Sequence, residues 1–327
     1  MCGLTIVCNL EPNDPSQFFL GRSAMKALVT GATGFVGPRL LRLLHNPTVV
    51  TRSPDRARHL LGNLAGSIYK WDPMKDPLPS EALEGIDVVF HLAGESVAEG
   101  RWTTEKKSRI RDSRIIGTRH VVQGITQSSQ KPAILVSSSA VGFYGDRGDE
   151  ELTESAEPAN DFLADVCVEW EREAMAAQQH GVRVVTARTG IVLGSHGGAL
   201  SKMLTPFKCG LGGPLGNGKQ WMPWVHVADL ARLYIHAAET DSIQGPMNAA
   251  GPKPVRNREF TKALGRQLHR PAFMPAPYLG LRLIFGEFAQ ILFDSQRVIP
   301  KVATDSGFTF KYPEIEAAFH DILGKAA

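Results

Sequence analysis

Cysteine pairs and long apolar runs are missing from this 327-residue sequence. Its four cysteines form no CxxC pair and have no neighbouring histidine pair, so the spacing predicts no metal site and fits a reducing compartment such as the cytoplasm. No apolar run reaches the roughly 18 residues that a membrane-spanning helix requires. The sequence therefore predicts a chain that is not embedded in a membrane.

The sequence also has no large excess of charge of either sign. The formal net charge is only +3, and the lysines and arginines are scattered along the chain rather than clustered. Binding of nucleic acid or of an anionic membrane usually depends on a concentrated basic patch. With 43% hydrophobic and 21% charged residues, the composition instead favours a globular enzyme with a sizeable core and no nucleic-acid or membrane partner.

Residues 1–24 are expected to form an extension outside the folded core. A short apolar stretch there is followed at once by Glu11, Pro12 and Asp14, and no basic cluster precedes it, which argues against a secretion or organelle signal. The extension is therefore predicted to be poorly ordered or weakly docked.

The most informative stretch is residues 28–37, which read Leu-Val-Thr-Gly-Ala-Thr-Gly-Phe-Val-Gly. A β-prone run leads into three glycines, and leucines at helical spacing follow, so the pattern predicts a strand, a tight turn and the start of a helix. Such a turn binds the pyrophosphate of a dinucleotide, because glycines let the backbone turn sharply and approach both phosphate and helix closely. A purely structural glycine-rich turn is the alternative. The predicted cofactor residues here are Gly31, Thr33, Gly34, Phe35, Val36 and Gly37.

Arg52 ends the second predicted strand about 20 residues after Gly31, where the residue that meets the adenosine ribose is expected. A carboxylate there would bind the 2′-hydroxyl, whereas a guanidinium suits a 2′-phosphate. The sequence therefore predicts NADP rather than NAD as the cofactor. An exposed arginine at a strand end, without a ligand, is the alternative.

Strand-like runs alternate with helical stretches as far as about residue 190, which is typical of βαβ units. The prediction is an α/β fold, a Rossmann-like doubly wound parallel sheet with a smaller C-terminal cap domain. We expect residues 25–190 to form the NADP-binding Rossmann domain, and residues 191–327 to complete the sheet and form the substrate cap. The ligand should lie beyond the carboxyl ends of the strands.

Two later strands end in residues suited to a site at that edge. Leu92, Ala93 and Gly94 follow one strand and could lie against the adenosine side of the cofactor. A run of three serines ends the next strand, and its last member, Ser139, could hydrogen-bond a substrate carbonyl or hydroxyl near the nicotinamide. Serines at strand ends are equally typical of caps and turns.

These motifs resemble those of the extended short-chain dehydrogenase/reductase superfamily over most of the chain after Met25. The resemblance rests on Thr30-Gly-Ala-Thr-Gly-Phe-Val-Gly37, His91-Leu-Ala-Gly94, Ser137-Ser-Ser-Ala-Val-Gly-Phe-Tyr-Gly145 and Trp224-Val-His-Val-Ala-Asp229. One branch of the superfamily comprises NADP-binding proteins that are similar to sugar-nucleotide epimerases, some of which carry cell-division-inhibitor names. The chain resembles this branch at residues 91–96, 101–102, 112–114, 212–221 and 254–257.

The resemblance implies roles for several residues near the cofactor. It would place the 2′-phosphate at Thr51 and Arg52, the adenosine at Leu92 and Ala93, and two approaching guanidinium groups at Arg109 and Arg114. Solvated surface arginines are the alternative for the last two.

The chain departs from the superfamily at the catalytic pair. In the superfamily, a tyrosine and, four residues later, a lysine relay the proton from the helix after the serine strand. Here the corresponding positions are Leu163 and Cys167, and neither side chain can do that work. A positioned general acid or base contributes about 10²–10⁴-fold in rate. Ser139 and Tyr144 are the nearest alternative catalytic residues, although Tyr144 also suits a packing role with a satisfied hydroxyl.

Two functions stay open at this point. The first is an NADP(H)-dependent oxidoreductase or epimerase whose small-molecule substrate is carbohydrate-like or another small carbonyl; a sugar nucleotide is implied by the resemblance alone. The second is a regulator that senses NADPH with little or no catalysis, for example in cell division. Trp221 and Trp224 could form a lid over a substrate, or they could be buried core residues between the cap and the sheet. The sequence leaves the oligomeric state open.

Overall fold

The computed structural model describes residues 25–195 and 197–324. The prediction made for residues 1–24 lies outside the described residues. The strands are β1 (Ala27–Thr30), β2 (Thr48–Thr51), β3 (Ser67–Lys70), β4 (Val88–His91), β5 (Ile134–Ala140), β6 (Glu151–Leu152), β7 (Arg183–Thr189), β8 (Ile191–Leu193), β9 (Trp221–Met222), β10 (Trp224–His226), β11 (Gly245–Ala249), β12 (Val255–Arg256) and β13 (Arg297–Val298).

The helices alternate with these strands in the N-terminal two thirds of the chain and dominate the rest. They are α1 (Gly37–Leu41), α2 (Pro54–Leu61), α3 (Ser80–Leu83), α4 (Thr104–Gln127), α5 (Phe162–Met175), α6 (Gly198–Lys208), α7 (Val227–Glu239), α8 (Asn257–Gln267), α9 (Tyr278–Phe285), α10 (Phe288–Ile291), α11 (Lys301–Asp305) and α12 (Ile315–Leu323). Short 3₁₀ turns cover Gly62–Leu64, Val141–Tyr144 and Ala176–His180.

Seven strands form the central sheet in the order β3-β2-β1-β4-β5-β7-β11. Every neighbouring pair in this sheet is parallel. The order reverses between β1 and β4, because the chain runs outward from β1 in one direction and then returns to build β4 on its other side. The predicted doubly wound parallel sheet is confirmed, and the carboxyl ends of β1 and β4 mark the crevice where such sheets bind ligands.

Both faces of the sheet are covered, which explains why its central strands are apolar without alternation. Neighbouring residues of one strand face opposite cores. Val29 and Phe90 pack on the side of α7 with Leu230 and Tyr234. On the other side, Leu28, Val89 and Leu135 pack with Val121 and Ile125 of α4.

The C-terminal region contributes both to the sheet and to a separate apolar core. β11 pairs with β7 and forms one edge of the central sheet. Helices α6, α8 and α12 enclose a second core, in which Phe260 and Phe319 meet with ring centroids 5.0 Å apart and Trp224 is fully buried. The boundaries of the predicted domains, 25–190 and 191–327, stay a prediction.

Candidate functional site

The turn after β1 is held in direct backbone contact with the end of β4. Gly31 has a φ of +67°, and a Cβ atom on it would lie 2.7 Å from backbone atoms of Leu92 and Ala93. Gly37, at the start of α1, leaves even less room, since its Cβ would lie 2.1 Å from the carbonyl oxygen of Ala32. Only glycine fits these two positions. The structure therefore forms the cradle that the glycine spacing predicts.

The outer side of the same turn is open. Thr33 and Gly34 are exposed, while Phe35 and Val36 are half-buried. The Gly34 N–H donates to the Gly31 carbonyl over 2.9 Å and closes the turn. The helix behind it is shorter than the leucine spacing predicts. After Leu41 the amides of residues 43 and 44 bond three residues back, so α1 has only five residues and adds little dipole to the turn amides.

Arg52 lies immediately after β2 with its side chain exposed. Within residues 25–195 and 197–324, it forms no ion pair or hydrogen bond through its side chain. Thr51 beside it is half-buried, and its hydroxyl accepts the Ser53 N–H over 3.3 Å. A guanidinium without an internal partner at this strand end is available to a phosphate.

The end of β4 is lined by Arg114 but not by Arg109. The Arg114 guanidinium donates to the carbonyl oxygens of Glu95 and Ile110 over 3.1 and 3.0 Å, and burial lowers its pKa. It lies behind Gly94, where a Cβ atom would come within 3.7 Å of it. The side chain of Arg109 is 60% exposed and lies 3.7 Å from the Glu95 carboxylate. The structure therefore brings Leu92, Ala93, Gly94 and Arg114 together and leaves Arg109 on the solvent side.

Ser139 and Tyr144 belong to a buried polar network around one ion pair. The Glu171 carboxylate receives two hydrogen bonds from Arg188, of 2.8 and 2.9 Å, and a third of 2.6 Å from the Ser139 hydroxyl. Arg188 also donates to the Tyr144 oxygen over 3.1 Å, and the Tyr144 hydroxyl donates to Asn248 over 2.7 Å. Ser139 is 3% exposed and Tyr144 is fully buried. This arrangement matches the packing alternative for Tyr144; a catalytic role for either residue stays a prediction.

Leu163 and Cys167 stand at the two positions where the resemblance would place the catalytic tyrosine and lysine. Leu163 packs against Gly142, where a Cβ atom would lie 3.2 Å from the leucine side chain. Cys167 is buried one turn later, and burial raises the pKa of its thiol to about 12. The thiol therefore stays protonated at neutral pH and cannot take the place of a lysine ammonium.

An aromatic cluster covers the start of α5. Trp102 meets Phe162 of α5 and Phe288 of α10 with ring centroids 5.5 and 5.8 Å apart. An ion pair of 2.7 Å between Lys107 and Glu287 joins the same segments. These contacts place α10 against the starts of α4 and α5. Sequence reasoning missed this packing because Trp102 and Phe288 are about 185 residues apart and follow no shared motif.

The tryptophans considered for a lid have other surroundings. Trp224 is fully buried, and its indole N–H donates to the Lys253 carbonyl over 3.0 Å, as expected of core. Trp221 is half-exposed between the guanidinium groups of Arg256 and Arg297, at 4.5 and 5.0 Å from its ring. Trp224 is therefore a core residue rather than part of a lid over a substrate.

Sequence reasoning also missed the side chain of Asp294. It follows α10 and is fixed in place because the neighbouring Ser295 N–H donates to Asp146 over 3.0 Å and Gln296 donates to the Gly145 carbonyl over 3.0 Å. Burial raises the pKa of Asp294 to about 6, against the effect of its hydrogen bond from Gln290, and the charge of Asp146 acts in the same direction as burial. A carboxyl with this pKa exchanges protons near neutral pH.

Other kinds of site find no support in the described residues. No helix there has both the length and the hydropathy that a bilayer span needs. The same residues contain no group of three side chains able to hold a metal ion.

Comparisons with known proteins place this geometry in a family. The model of the NAD dependent epimerase/dehydratase family matches residues 27–250, and a domain of unknown function, DUF1731, matches residues 276–322. The chain is 38% identical to the epimerase family protein SDR39U1 homolog, chloroplastic, of Arabidopsis thaliana, over 92% of this chain and 87% of that protein. It is 36% identical to the epimerase family protein YfhF of Bacillus subtilis, over 91% and 98%.

Solved structures agree with these matches. The crystal structure of the human epimerase family protein SDR39U1 (isoform 2) with NADPH superposes with a TM-score of 0.81 at 33% identity, over 92% of this chain and 99% of that chain. UDP-glucuronic acid 4-epimerase from Bacillus cereus, in complex with UDP-glucuronic acid and NAD, has a TM-score of 0.73 at 17% identity, which shows the same fold. Because the family model spans more than half of the chain and the relatives span nearly all of it, this protein belongs to the NAD dependent epimerase/dehydratase family, within the superfamily that its motifs predict.

Proposed function

We propose that this protein binds NADP(H) and uses it in the oxidoreduction or epimerisation of a carbohydrate-like or other small carbonyl substrate. The single observation that carries the proposal is the glycine cradle between β1 and β4 together with the exposed Arg52 at the end of β2, whose side chain has no partner among residues 25–195 and 197–324. In a net reduction, bound NADPH would supply a hydride to the carbonyl carbon, whereas in an epimerisation bound NADP⁺ would first accept a hydride from the substrate and then return it. NADP as the cofactor agrees with the human relative of known structure, which was crystallised with NADPH.

Arg52→Ala is expected to weaken NADPH binding by about 10- to 100-fold, because a hydrogen bond to a charged group contributes about 1.5–3 kcal/mol. Binding of NADH, which has no 2′-phosphate, should change little. Titrations of both cofactors by nicotinamide fluorescence measure the two effects.

The matched control for this change is Arg58→Ala. Arg58 lies on the adjoining helix α2 and pairs with Asp55 over 2.7 Å, so its loss should leave the preference for NADPH intact. Equal affinity of the unmodified protein for NADH and NADPH would show that Arg52 does not select for the 2′-phosphate.

The proton that accompanies hydride transfer needs a donor other than the usual tyrosine. Ser139 and Tyr144 remain proposed catalytic residues, although both hydroxyls lie in the Glu171–Arg188 network. Asp294 is added as a third proposal, because its carboxyl is half-buried and feels the charge of Asp161, which caps the helix that carries Leu163 and Cys167, and because burial raises its pKa to about 6. Its carboxyl acid would donate below that pH and its carboxylate would accept above it.

Asp294→Asn is expected to stabilise the fold at neutral pH. The pKa of this carboxyl rises from 3.8 to about 6 on folding, so its contribution to stability is complete below about 3.8 and is lost as the pH rises to about 6. Removal of the charge should therefore raise the free energy of unfolding by about 1–2 kcal/mol at pH 7.5, a value reduced for partial exposure, and by clearly less at pH 4.5. Urea unfolding at the two pH values measures this.

Asp149→Asn serves as the control for Asp294. The pKa of Asp149 is lowered, chiefly by the hydrogen bond from Trp221, so the loss of this charge should give no stabilisation at pH 7.5. If Asp294→Asn instead lowers the free energy of unfolding at pH 7.5, the ionised Asp294 carboxylate does not destabilise the fold, and the assignment is wrong.

Turnover is tested by incubating the protein with NADPH and a panel of sugar nucleotides and aldehydes, while the absorbance of the reduced nicotinamide is followed. A reductase should consume NADPH with at least one member of the panel, whereas an epimerase, which consumes no net cofactor, should convert at least one sugar nucleotide into its epimer in a parallel incubation with NADP⁺. Loss of turnover in Ser139→Ala or Asp294→Asn, with NADPH affinity retained, would identify the proton donor.

A second candidate is a regulator that senses NADPH. The observation that favours it is the pair of Leu163 and buried Cys167 where a proton relay is expected. Tight NADPH binding with no turnover across the panel would favour this function over the enzyme, because cofactor binding and chemistry would then be separated.

A further inference from the structure

Thr30, the last residue of β1, has a hydroxyl with a complete set of hydrogen bonds. Its Oγ1 lies 3.2 Å from the backbone nitrogens of both Leu92 and Ala93 and 2.7 Å from Nδ1 of His91. The other ring nitrogen of His91, Nε2, lies 3.0 Å from the hydroxyl of Thr118 on α4. Thr30, His91 and Thr118 are fully buried, so no solvent competes for these bonds.

The inventory of donors and acceptors fixes the direction of each bond. A hydroxyl has one hydrogen and two acceptor positions, and both acceptor positions of Thr30 are filled by the amides of Leu92 and Ala93. Its hydrogen must therefore point to Nδ1 of His91, which accepts. The remaining hydrogen of the neutral ring is then on Nε2, and it is donated to Thr118. The ring is thus the neutral Nε2–H tautomer, which agrees with burial lowering the pKa of His91 to about 4.

These hydrogen bonds join the glycine turn after β1, which is predicted to bind the pyrophosphate, to the end of β4, which is predicted to face the adenosine. The amides that Thr30 binds belong to Leu92 and Ala93, which also form the backbone surface against which Gly31 packs. The backbone itself joins the two segments through the parallel pairing of β1 with β4 and a 3.3 Å hydrogen bond from the Leu92 N–H to the Thr30 carbonyl. The Thr30 hydroxyl, oriented by the imidazole, adds the bond to the Ala93 N–H and a second acceptor for the Leu92 N–H, so it helps to fix how closely the glycine turn approaches the end of β4.

We propose that His91, acting through Thr30, is a positioning residue that holds the glycine turn and the end of β4 at the spacing needed for NADPH. The inference rests on the cofactor part of the proposed function and adds a residue and a role to it. His91 does not touch the cofactor in this scheme. Its effect on affinity passes through one hydroxyl, so the two ring nitrogens should differ in importance for binding.

Two substitutions of His91 separate the roles of its nitrogens. In His91→Asn, the side-chain oxygen stands near the position of Nδ1 and can still accept from Thr30. In His91→Gln, the longer amide can donate to Thr118 as Nε2 does, but the acceptor for Thr30 is lost. NADPH affinity should fall less than about threefold in His91→Asn and about tenfold or more in His91→Gln.

Thr118→Val provides the structural control, because it removes the other hydrogen bond of the ring and leaves the Thr30 side intact. It should lower the unfolding temperature while NADPH affinity stays within about threefold of the unmodified protein. Affinities are measured by calorimetry and unfolding by scanning fluorimetry on the same samples. If affinity instead follows stability across all three variants, the role of His91 is structural only and the proposal is wrong.

A measurement on the unmodified protein keeps the proposal testable even if a variant does not fold. Nitrogen-15 shifts of the His91 ring should show an unprotonated Nδ1 and a protonated Nε2, and the opposite tautomer would overturn the scheme. This result is independent of the proposed function. Failure of the unmodified protein to bind NADPH would refute the cofactor assignment itself, whereas a variant pattern without the Asn–Gln difference would refute only the positioning role.

Discussion

Gly37→Ala should cost about 3 kcal/mol or more of folding free energy, because an added methyl group has no space at this position. Its Cβ would lie 2.1 Å from the carbonyl oxygen of Ala32 and within 2.6 Å of two further backbone atoms of that residue. Backbone atoms cannot rotate away as a flexible side chain can. Helix α1 would have to move from the turn, so NADPH affinity should fall at least tenfold in the same variant.

Gly34→Ala is the matched control three residues earlier. A Cβ atom there would meet only the Gly31 carbonyl oxygen, at 3.1 Å, and the position is exposed. Its stability should change by less than about 1 kcal/mol, while NADPH binding should weaken because the methyl group occupies the approach of the phosphates. Chemical unfolding and cofactor titration of both variants measure the contrast. Equal stabilities of the two variants would show that α1 does not depend on the close contact at Gly37.

Arg188→Met is the second change for which we expect a large effect. It removes one partner of a pair whose side chains are only 5% and 11% exposed and leaves the Glu171 carboxylate buried with the Ser139 hydroxyl as its main remaining donor. The loss of one partner of a buried pair usually costs about 3–5 kcal/mol. Burial by itself would lower the pKa of Arg188, but the hydrogen bonds and charge of Glu171 outweigh burial and hold it raised. The guanidinium is therefore charged at every accessible pH.

Arg172→Met tests whether burial is the cause. Arg172 pairs with Glu169 over 2.5 Å on the same helix as Glu171 and lies 3.5 Å from Glu173, but its own side chain is 64% exposed, so the expected loss is about 0–1 kcal/mol. The free energies of unfolding of the two variants, measured in urea, should differ by several kcal/mol. Similar small losses in both would mean that water reaches Glu171 in solution.

The sequence was sufficient where function depends on local backbone geometry. The turn at Gly31 and Gly37 could be predicted because a missing Cβ is a property of single residues at fixed spacing. The parallel sheet could be predicted because strand and helix periods alternate along the chain. The cofactor class followed from one residue, Arg52, whose meaning depends on its distance from Gly31.

Prediction was weaker where a role depends on distant partners. Nothing in the run of three serines shows that Ser139 would bind Glu171, and nothing near Tyr144 indicates Asn248, which is 104 residues away. The raised pKa of Asp294 has the same origin, since it depends on burial by residues from other parts of the chain. The early end of α1 was missed because helical spacing of leucines does not show which amides bond three residues back.

The position of β11 at the edge of the sheet has a consequence for how the nascent chain matures. β7 pairs on one side with β5 and on the other with β11, which is made some 60 residues later. Until residue 249 has left the ribosome, one row of β7 amides and carbonyls has no partner and is open to pairing with another chain. A fragment that stops at residue 190 would keep that open edge permanently, so residues 25–190 are expected to need the later strand β11 to complete their sheet during biosynthesis.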